Sequence, residues 1–265
     1  MSEVSEPNHL TGGKYIYALA QSAAGRTYDI CGIDKEAVHA ICHGSVSALV
    51  SNCGRQKIRP ERAHLIAHKE VLRQLMLEST VLPMAFGTVA DNLKAVRRML
   101  SKSEATLREK LKYVEGKVEM GLRVVWDVPN IFEYFVGNHP DLRATRDQVL
   151  VGNRVPRQAE KIELGAMFER VMNEDREAHF ATIEGVLAPV CVDLNRSRSP
   201  KLNEVVKLSC LVKRDRQKEL EDAVFAAARQ FDNNFIFDFN GPWAPHNFVE
   251  MDLQLNPRKA IAIPC

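Results

Sequence analysis

No apolar run in this 265-residue chain approaches the roughly 20 residues that a membrane-spanning helix needs. Its six cysteines, at 31, 42, 53, 191, 210 and 265, contain no C-x-x-C pair. That removes the usual zinc-ribbon and dithiol-redox patterns and leaves reduced core thiols as the expectation. There is no G-x-S-x-G nucleophile turn and no G-x-G-x-x-G dinucleotide loop. Gly12-Gly13-Lys14 has no upstream glycine, and Tyr15 stands where a phosphate loop needs Ser or Thr. Charge of one sign is missing too: 36 Lys+Arg face 34 Asp+Glu, a net of +2. The whole chain is therefore not driven towards polyanions. The opening Met-Ser-Glu-Val-Ser-Glu-Pro has acids and no apolar core, so no secretory signal is expected and the location reads as cytoplasmic.

What is present is an ordinary globular composition, 45% hydrophobic and 26% charged. A chain this long buries about 70–75% of its unfolded surface and needs no staple. One large or two modest domains are expected.

Residues 1–13 are polar and read as a disordered start. Lys14–Ala20 reads as a strand. His39-Ala-Ile-Cys42 and Val46-Ser-Ala-Leu-Val50 flank Gly44, which suits a hairpin. Pro60-Glu61 opens a helix whose His68, Val71, Leu72, Leu75 and Met76 share one face. Thr80–Pro83 is a short buried strand closed by Gly87. Asp91 is the expected cap of a helix to Leu100, and helical sequence continues to about Lys112.

From Gly116 the period changes. Val118, Met120, Leu122, Val124 and Trp126 alternate with polar residues, the mark of a half-buried strand. A helical region follows Pro129, best at Leu164, Met167, Phe168, Val171 and Met172, with a loop at Gly152–Pro156. Val190, Val192 and Leu194 suggest a second strand, followed by the polar turn Asn195–Pro200. Val206, Leu208, Cys210 and Val212 form the face of a third. Asp215 then caps a helix with Leu220, Ala223, Val224, Ala227, Ala228 and Phe231 on one side. Phe235, Phe237 and Phe239 make the fourth strand. The order β-α-β-β-α-β is that of a ferredoxin-like sheet, with two helices on one face. The expected class is α+β. An α+β domain spans 14–113, a ferredoxin-like domain 114–240, and a tail 241–265 packs back on the protein.

The tail begins Gly241-Pro242-Trp243-Ala244-Pro245-His246. Neither proline nitrogen can donate and both φ angles are fixed, so this segment cannot continue a helix or a central strand. Trp243 is expected to anchor it by burial, as is Phe86 for its own loop.

Candidate chemistry is sparse. His64 and His68 stand at i, i+4, a metal-compatible spacing, but Leu65-Ile66-Ala67 between them omits the glutamate of H-E-x-x-H. His39, Cys42 and His43 share a hairpin, yet adjacent strand residues face opposite ways. Asp193, Asn195, Ser197, Ser199 and Glu204 imitate a calcium loop with Arg198 where glycine is required. Lys94, Arg97, Arg98, Lys102, Arg108, Lys110 and Lys112 are diluted by Glu104 and Glu109 and read as a solvated helix face. No catalytic centre, cofactor or metal site is expected.

The stretch Phe239–Phe248 resembles the closing GPWPPYSF signature of the gas vesicle proteins F and L. Val81-Leu-Pro-Met-Ala-Phe-Gly-Thr88 is similar to the family's LPMRFGT, Tyr15-Ile-Tyr17 to its first strand, and Glu115–Val124 to its central strand. The likeness spans about residues 14–250 in the family's order. Ala85 stands where arginine is usual, and Ala244, His246 and Asn247 where Pro, Tyr and Ser are usual. The resemblance implies Pro83, Phe86, Gly87, Gly241 and Pro242 as signature positions. It also implies an N-terminal α+β domain and a modified ferredoxin-like C-terminal one.

By the same resemblance the chain is a minor or accessory gas vesicle protein, not an enzyme. It would bind the small hydrophobic shell subunit or other accessory proteins, limit aggregation and aid nucleation of the shell. No nucleic acid, membrane or metal partner is expected. Trp243 and the sheet face carrying Val206, Leu208, Cys210 and Val212 are the candidate contacts. The alternative is a ferredoxin-like small-ligand or nucleic-acid module, which rests on fold analogy alone.

Overall fold

The computed structural model describes residues 12–22, 28–54, 57–151, 157–197, 201–251 and 253. The expected disordered start (as far as residue 11), the loop 152–156, residues 198–200 of the polar turn and Cys265 lie outside the described residues. The chain forms two compact units. One runs to Glu119 and resumes at Trp243; the other is Met120–Pro242.

The first unit is built on β1 (Gly13–Gln21), β2 (His39–His43), β3 (Val46–Cys53), β4 (Val81–Pro83) and β5 (Val89–Ala90). The path is β2-β3-β1-β4, with β5 also on β1. Every residue of β1 from Lys14 to Ala20 is buried, because helices cover both faces. The helix α1 (Arg62–Glu78) brings His68 against Tyr15 and Tyr17 on one side. On the other, α2 (Leu93–Val114) packs Val96, Met99, Leu100 and Leu107 with Ile16, Leu19, Ile41 and Val50. The register of β1 on β3 slips between Ile16 and Ala18, so Tyr17 is the additional residue of a bulge. The burial of α1 falls on His68, Val71, Leu72, Leu75 and Met76, the face that the periodicity predicts. The cap of α2 is Asn92, not Asp91: its side chain accepts from Ala95 N at 3.0 Å. Only Asn92 sits at the residue preceding the first helical turn, where an N-cap must stand.

The second unit holds the sheet of β6 (Lys117–Trp126), β7 (Asp193–Arg196), β8 (Glu204–Lys213) and β9 (Phe235–Trp243). The strand order is β7-β8-β6-β9. Numbered within the unit this is second-third-first-fourth, the ferredoxin-like order. Three helices join β6 to β7: α3 (Ile131–Asn138), α4 (Pro140–Val149) and the 30-residue α5 (Gln158–Leu187). The connection from β8 to β9 carries α6 (Gln217–Ala228).

Two local expectations change. The second strand starts at Asp193, not Val190, because Val190 N and Cys191 N still bond Leu187 O and wrap up the end of α5. Asp215 does not cap α6; a 3-10 turn over Arg214–Arg216 precedes the helix, and no side chain bonds its start. A row of rings closes the core: Trp126 meets Phe135 at 5.1 Å, and His179 meets Phe231 and Phe235 at 5.2 and 5.0 Å.

Candidate functional site

Alternation along β8 decides which sheet face is available. Val206, Leu208, Cys210 and Val212 are at most 2% exposed. Their side chains lie on the helix-covered face. Arg196, opposite Leu208 in the ladder, reaches Glu177 of α5 at 2.8 Å and stacks on Phe180 of α5. These four residues are therefore core, and their expected role as contact residues is corrected. A side chain already out of water has nothing left to bury against a partner.

The opposite face mixes polar and apolar residues. Arg123 of β6 lies 3.6 Å from Asp238 of β9. Lys207 and Asn240 are exposed and Ser209 is half-buried. Val205 and Leu211 on this side are themselves buried. On the two central strands this face carries Gly121, Arg123, Val125, Val205, Lys207, Ser209 and Leu211, none of them aromatic. Single-stranded nucleic acid is normally held by aromatic platforms on such strands.

Part of the exposed apolar surface lies along the outer strand. β9 ends the sheet path. Phe235, Phe237 and Phe239 are only half-buried there, and Ile236 is 47% exposed. An edge strand whose side chains are largely apolar is a ready template for another chain. Asp238 and Asn240 break the apolar row on one side.

Trp243 ends β9 and is 45% exposed, which overturns its expected burial. The residues after it hold the tail. Ala244 and Val249 are 3% and 8% exposed, and Val249 joins the core of α2 and the first sheet. Glu119, itself buried, accepts from Asn247 N at 2.9 Å and from Asn247 Nδ2. Gly241 has φ +130°, which a residue with a Cβ rarely adopts, and the Gly241–Pro242 bond is cis.

The other signature segment is also a clamp on β1. Gly87 turns with φ +85° and donates its N–H to Tyr15 Oη at 3.0 Å. Met84 N donates to Tyr17 O at 2.8 Å and Ile16 N to Thr88 O at 2.9 Å. Pro83 is buried, and Phe86 is mostly buried, as expected. Its ring packs on Tyr15 and His68 at 6.1 and 5.7 Å.

The remaining candidates separate. His64 bonds Arg59 O and Asp34, each at 3.1 Å, while His68 turns inward to Tyr15 at 2.9 Å. Cys42 and His43 pair with Ser47 and Val46 on opposite faces of β2. Asp193 and Asn195 belong to a strand rather than a loop. Lys94, Arg97, Arg98, Lys102, Arg108 and Lys112 are exposed along α2. Among the described residues no group of three or more His, Cys, Asp or Glu is placed to hold a metal, and no helix is long and apolar enough to cross a membrane.

Residues 13–250 match the family model of the gas vesicle synthesis protein GvpL/GvpF. The chain is 23% identical over 245 residues to gas vesicle protein F of Nostoc sp., covering 91% of this chain and 100% of that one. It is 26% identical to gas vesicle protein F of Streptomyces sp., covering 89% and 99%. The crystal structure of GvpF from Anabaena sp. superposes with a TM-score of 0.79 at 23% identity, over 91% of this chain and 99% of that one. GvpF from Microcystis aeruginosa gives 0.78 at 22% identity, over 91% and 100%.

Proposed function

We propose, from the premise that the chain belongs to the gas vesicle synthesis protein GvpL/GvpF family, that it binds the hydrophobic shell subunit through the outer edge of β9. In doing so it limits aggregation of the free subunit and assists nucleation of the shell. The observation that carries this reading is an edge strand with Ile236 nearly half exposed and three half-buried phenylalanines beside it. A partner strand added there gains main-chain hydrogen bonds from the edge and specificity from alternate side chains. Trp243, at the end of the same strand, offers a large aromatic surface of the kind enriched at interfaces. The chemistry required is burial and strand pairing, with no catalytic step and no cation.

Pull-down of the shell subunit with purified protein tests this. Capture should persist in excess EDTA. Ile236→Lys should abolish it while the circular dichroism spectrum and melting curve stay as in the parent, because the side chain is exposed. If Ile236→Lys and Trp243→Ala both capture the subunit at parent level, the β9 edge is not the contact. If the parent captures neither the shell subunit nor any accessory partner, and its deletion leaves vesicles normal, the assembly role itself fails.

A further inference from the structure

We propose that the cavity between the start of β1, strand β2 and the N-terminus of α2 is a binding site for an oxyanion, either a phosphate or a carboxylate. The cavity has a volume of about 460 Å³, and Lys14, His39, Cys42, Leu93 and Arg97 are among its walls; none of its lining residues is acidic. The site stands independently of the shell-binding reading, since β9 takes no part in it.

Lys14 is the central observation. The residue as a whole is 2% exposed, and its ammonium lies in a part-buried hydrogen bond. Its hydrogen-bond partner is an amide oxygen, Asn52 Oδ1 at 2.5 Å, and not a carboxylate. An ammonium has three protons to donate. Burying such a charge beside a neutral acceptor is costly unless an anion completes the arrangement. Burial accordingly pushes the Lys14 pKa down, and the negative charge of Glu36 opposes that shift without entering the cavity wall. This lysine lies on the face of β1 that α2 covers, two residues before Ile16 of the core, so it sits beneath the first turns of the helix.

Two further features converge on the same space. Arg97, one turn into α2, is exposed and makes no hydrogen bond or ion pair with the described residues. A guanidinium there presents a planar fork suited to two oxygens of one anion. The N-terminus of a 22-residue helix adds the positive end of its dipole. The ammonium of a buried lysine, a free guanidinium and a helix start around one cavity form the donor set that phosphate and carboxylate groups share. A carboxylate would come from the terminus or side chain of a protein partner, and phosphate from solution or a phosphorylated molecule.

The test is a titration of the isotope-labelled protein with inorganic phosphate, and separately with acetate, at constant ionic strength set by sodium chloride. Backbone amide shifts of Leu93 and Lys94 report binding. The expected result is a saturable shift with at least one of the two anions. Saturation by acetate alone identifies a carboxylate source, and by phosphate alone a phosphate source. Arg97→Ala should weaken binding roughly tenfold, the effect of losing one charge-assisted hydrogen-bond pair. Arg98→Ala, the adjacent exposed cation, should not change it. Lys14→Met should abolish binding; because it alters a buried residue, Arg97→Ala provides the independent arm. Linear, non-saturating shifts with both anions overturn the proposal. So does saturable binding that Arg97→Ala leaves intact, or that Arg98→Ala weakens equally.

Discussion

Acidification should destabilise the first unit through His68. The ring is 4% exposed. Tyr15 Oη accepts the Gly87 N–H at 3.0 Å, so its own proton is directed at His68 Nδ1, 2.9 Å away. That suits a neutral ring whose Nε2 is buried as well. Burial above all, and then the neighbouring His246, push the His68 pKa from 6.5 down to about 4; the Met84 backbone offsets only part of this. The sign follows from linkage. The unfolded chain takes up a proton near pH 6.5, and the native one only near pH 4. Stability is therefore fully present above pH 6.5 and is lost as the pH falls through that window. At about 1.4 kcal/mol for each pKa unit, the loss reaches about 3 kcal/mol at pH 4. Urea unfolding at pH 7, 6, 5 and 4.5 would measure it in the parent and in His68→Phe. The variant begins less stable, since Tyr15 loses its acceptor, but the gap should narrow by about 2 kcal/mol by pH 5. A directly measured His68 pKa near 6.5, or parallel pH profiles in the two proteins, would refute the reasoning.

Three further outcomes rest on the same geometry. Arg176→Leu should cost about 2–4 kcal/mol in thermal unfolding, because Arg176 donates to Glu204 O, Lys201 O and Leu202 O at 2.9–3.0 Å and lies over the Trp126 ring. Arg176→Lys should not rescue it, since one ammonium cannot reproduce the fork. Gly87→Val should lower the melting temperature, because φ +85° is strained for a β-branched residue; a melting curve like the parent's would show that the 84–88 turn does not support β1. Trp243→Ala should change stability by less than about 1 kcal/mol, whereas Val249→Asp should cost about 3 kcal/mol or more. The reverse order in denaturant unfolding would show that the exposed tryptophan, not the buried valine, fastens the tail.

Much of the fold was legible because period is a local signal that burial enforces. The five buried residues of α1, and the alternation of Val118 to Trp126, follow from amphipathicity alone. Boundaries were less legible. Val190 and Val192 share the period of Leu194, yet Leu187 O at the end of α5 still claims the Val190 and Cys191 amides; the first bond to β8 comes from Val192 N to Leu211 O, and the strand runs from Asp193. Asp91 and Asn92 are both capping residues, and only the helix start chooses between them. The face problem is different in kind. Alternation assigns Val206, Leu208, Cys210 and Val212 to one side of a strand without saying which side the helices cover. An apolar face in sequence is first of all a candidate for the core.

The closing motif illustrates why the most conspicuous residue of a segment need not be its anchor. A tryptophan flanked by prolines invites the inference that it is buried, since no other side chain in the segment is as large. The backbone decides otherwise. Gly241 turns with φ +130°, Trp243 is left half in solvent, and Ala244 is placed inside. A small residue suits a position 3% exposed, where a larger one would overpack. Fastening then comes from the polar pair Glu119–Asn247 and from Val249, neither of which stands out in the sequence. A buried carboxylate needs a partner, and Asn247, with both a backbone and a side-chain N–H on Glu119, supplies two donors at once. Trp243, 45% exposed at the end of an edge strand, thus leaves the fastening of the tail to smaller residues on either side of Pro245.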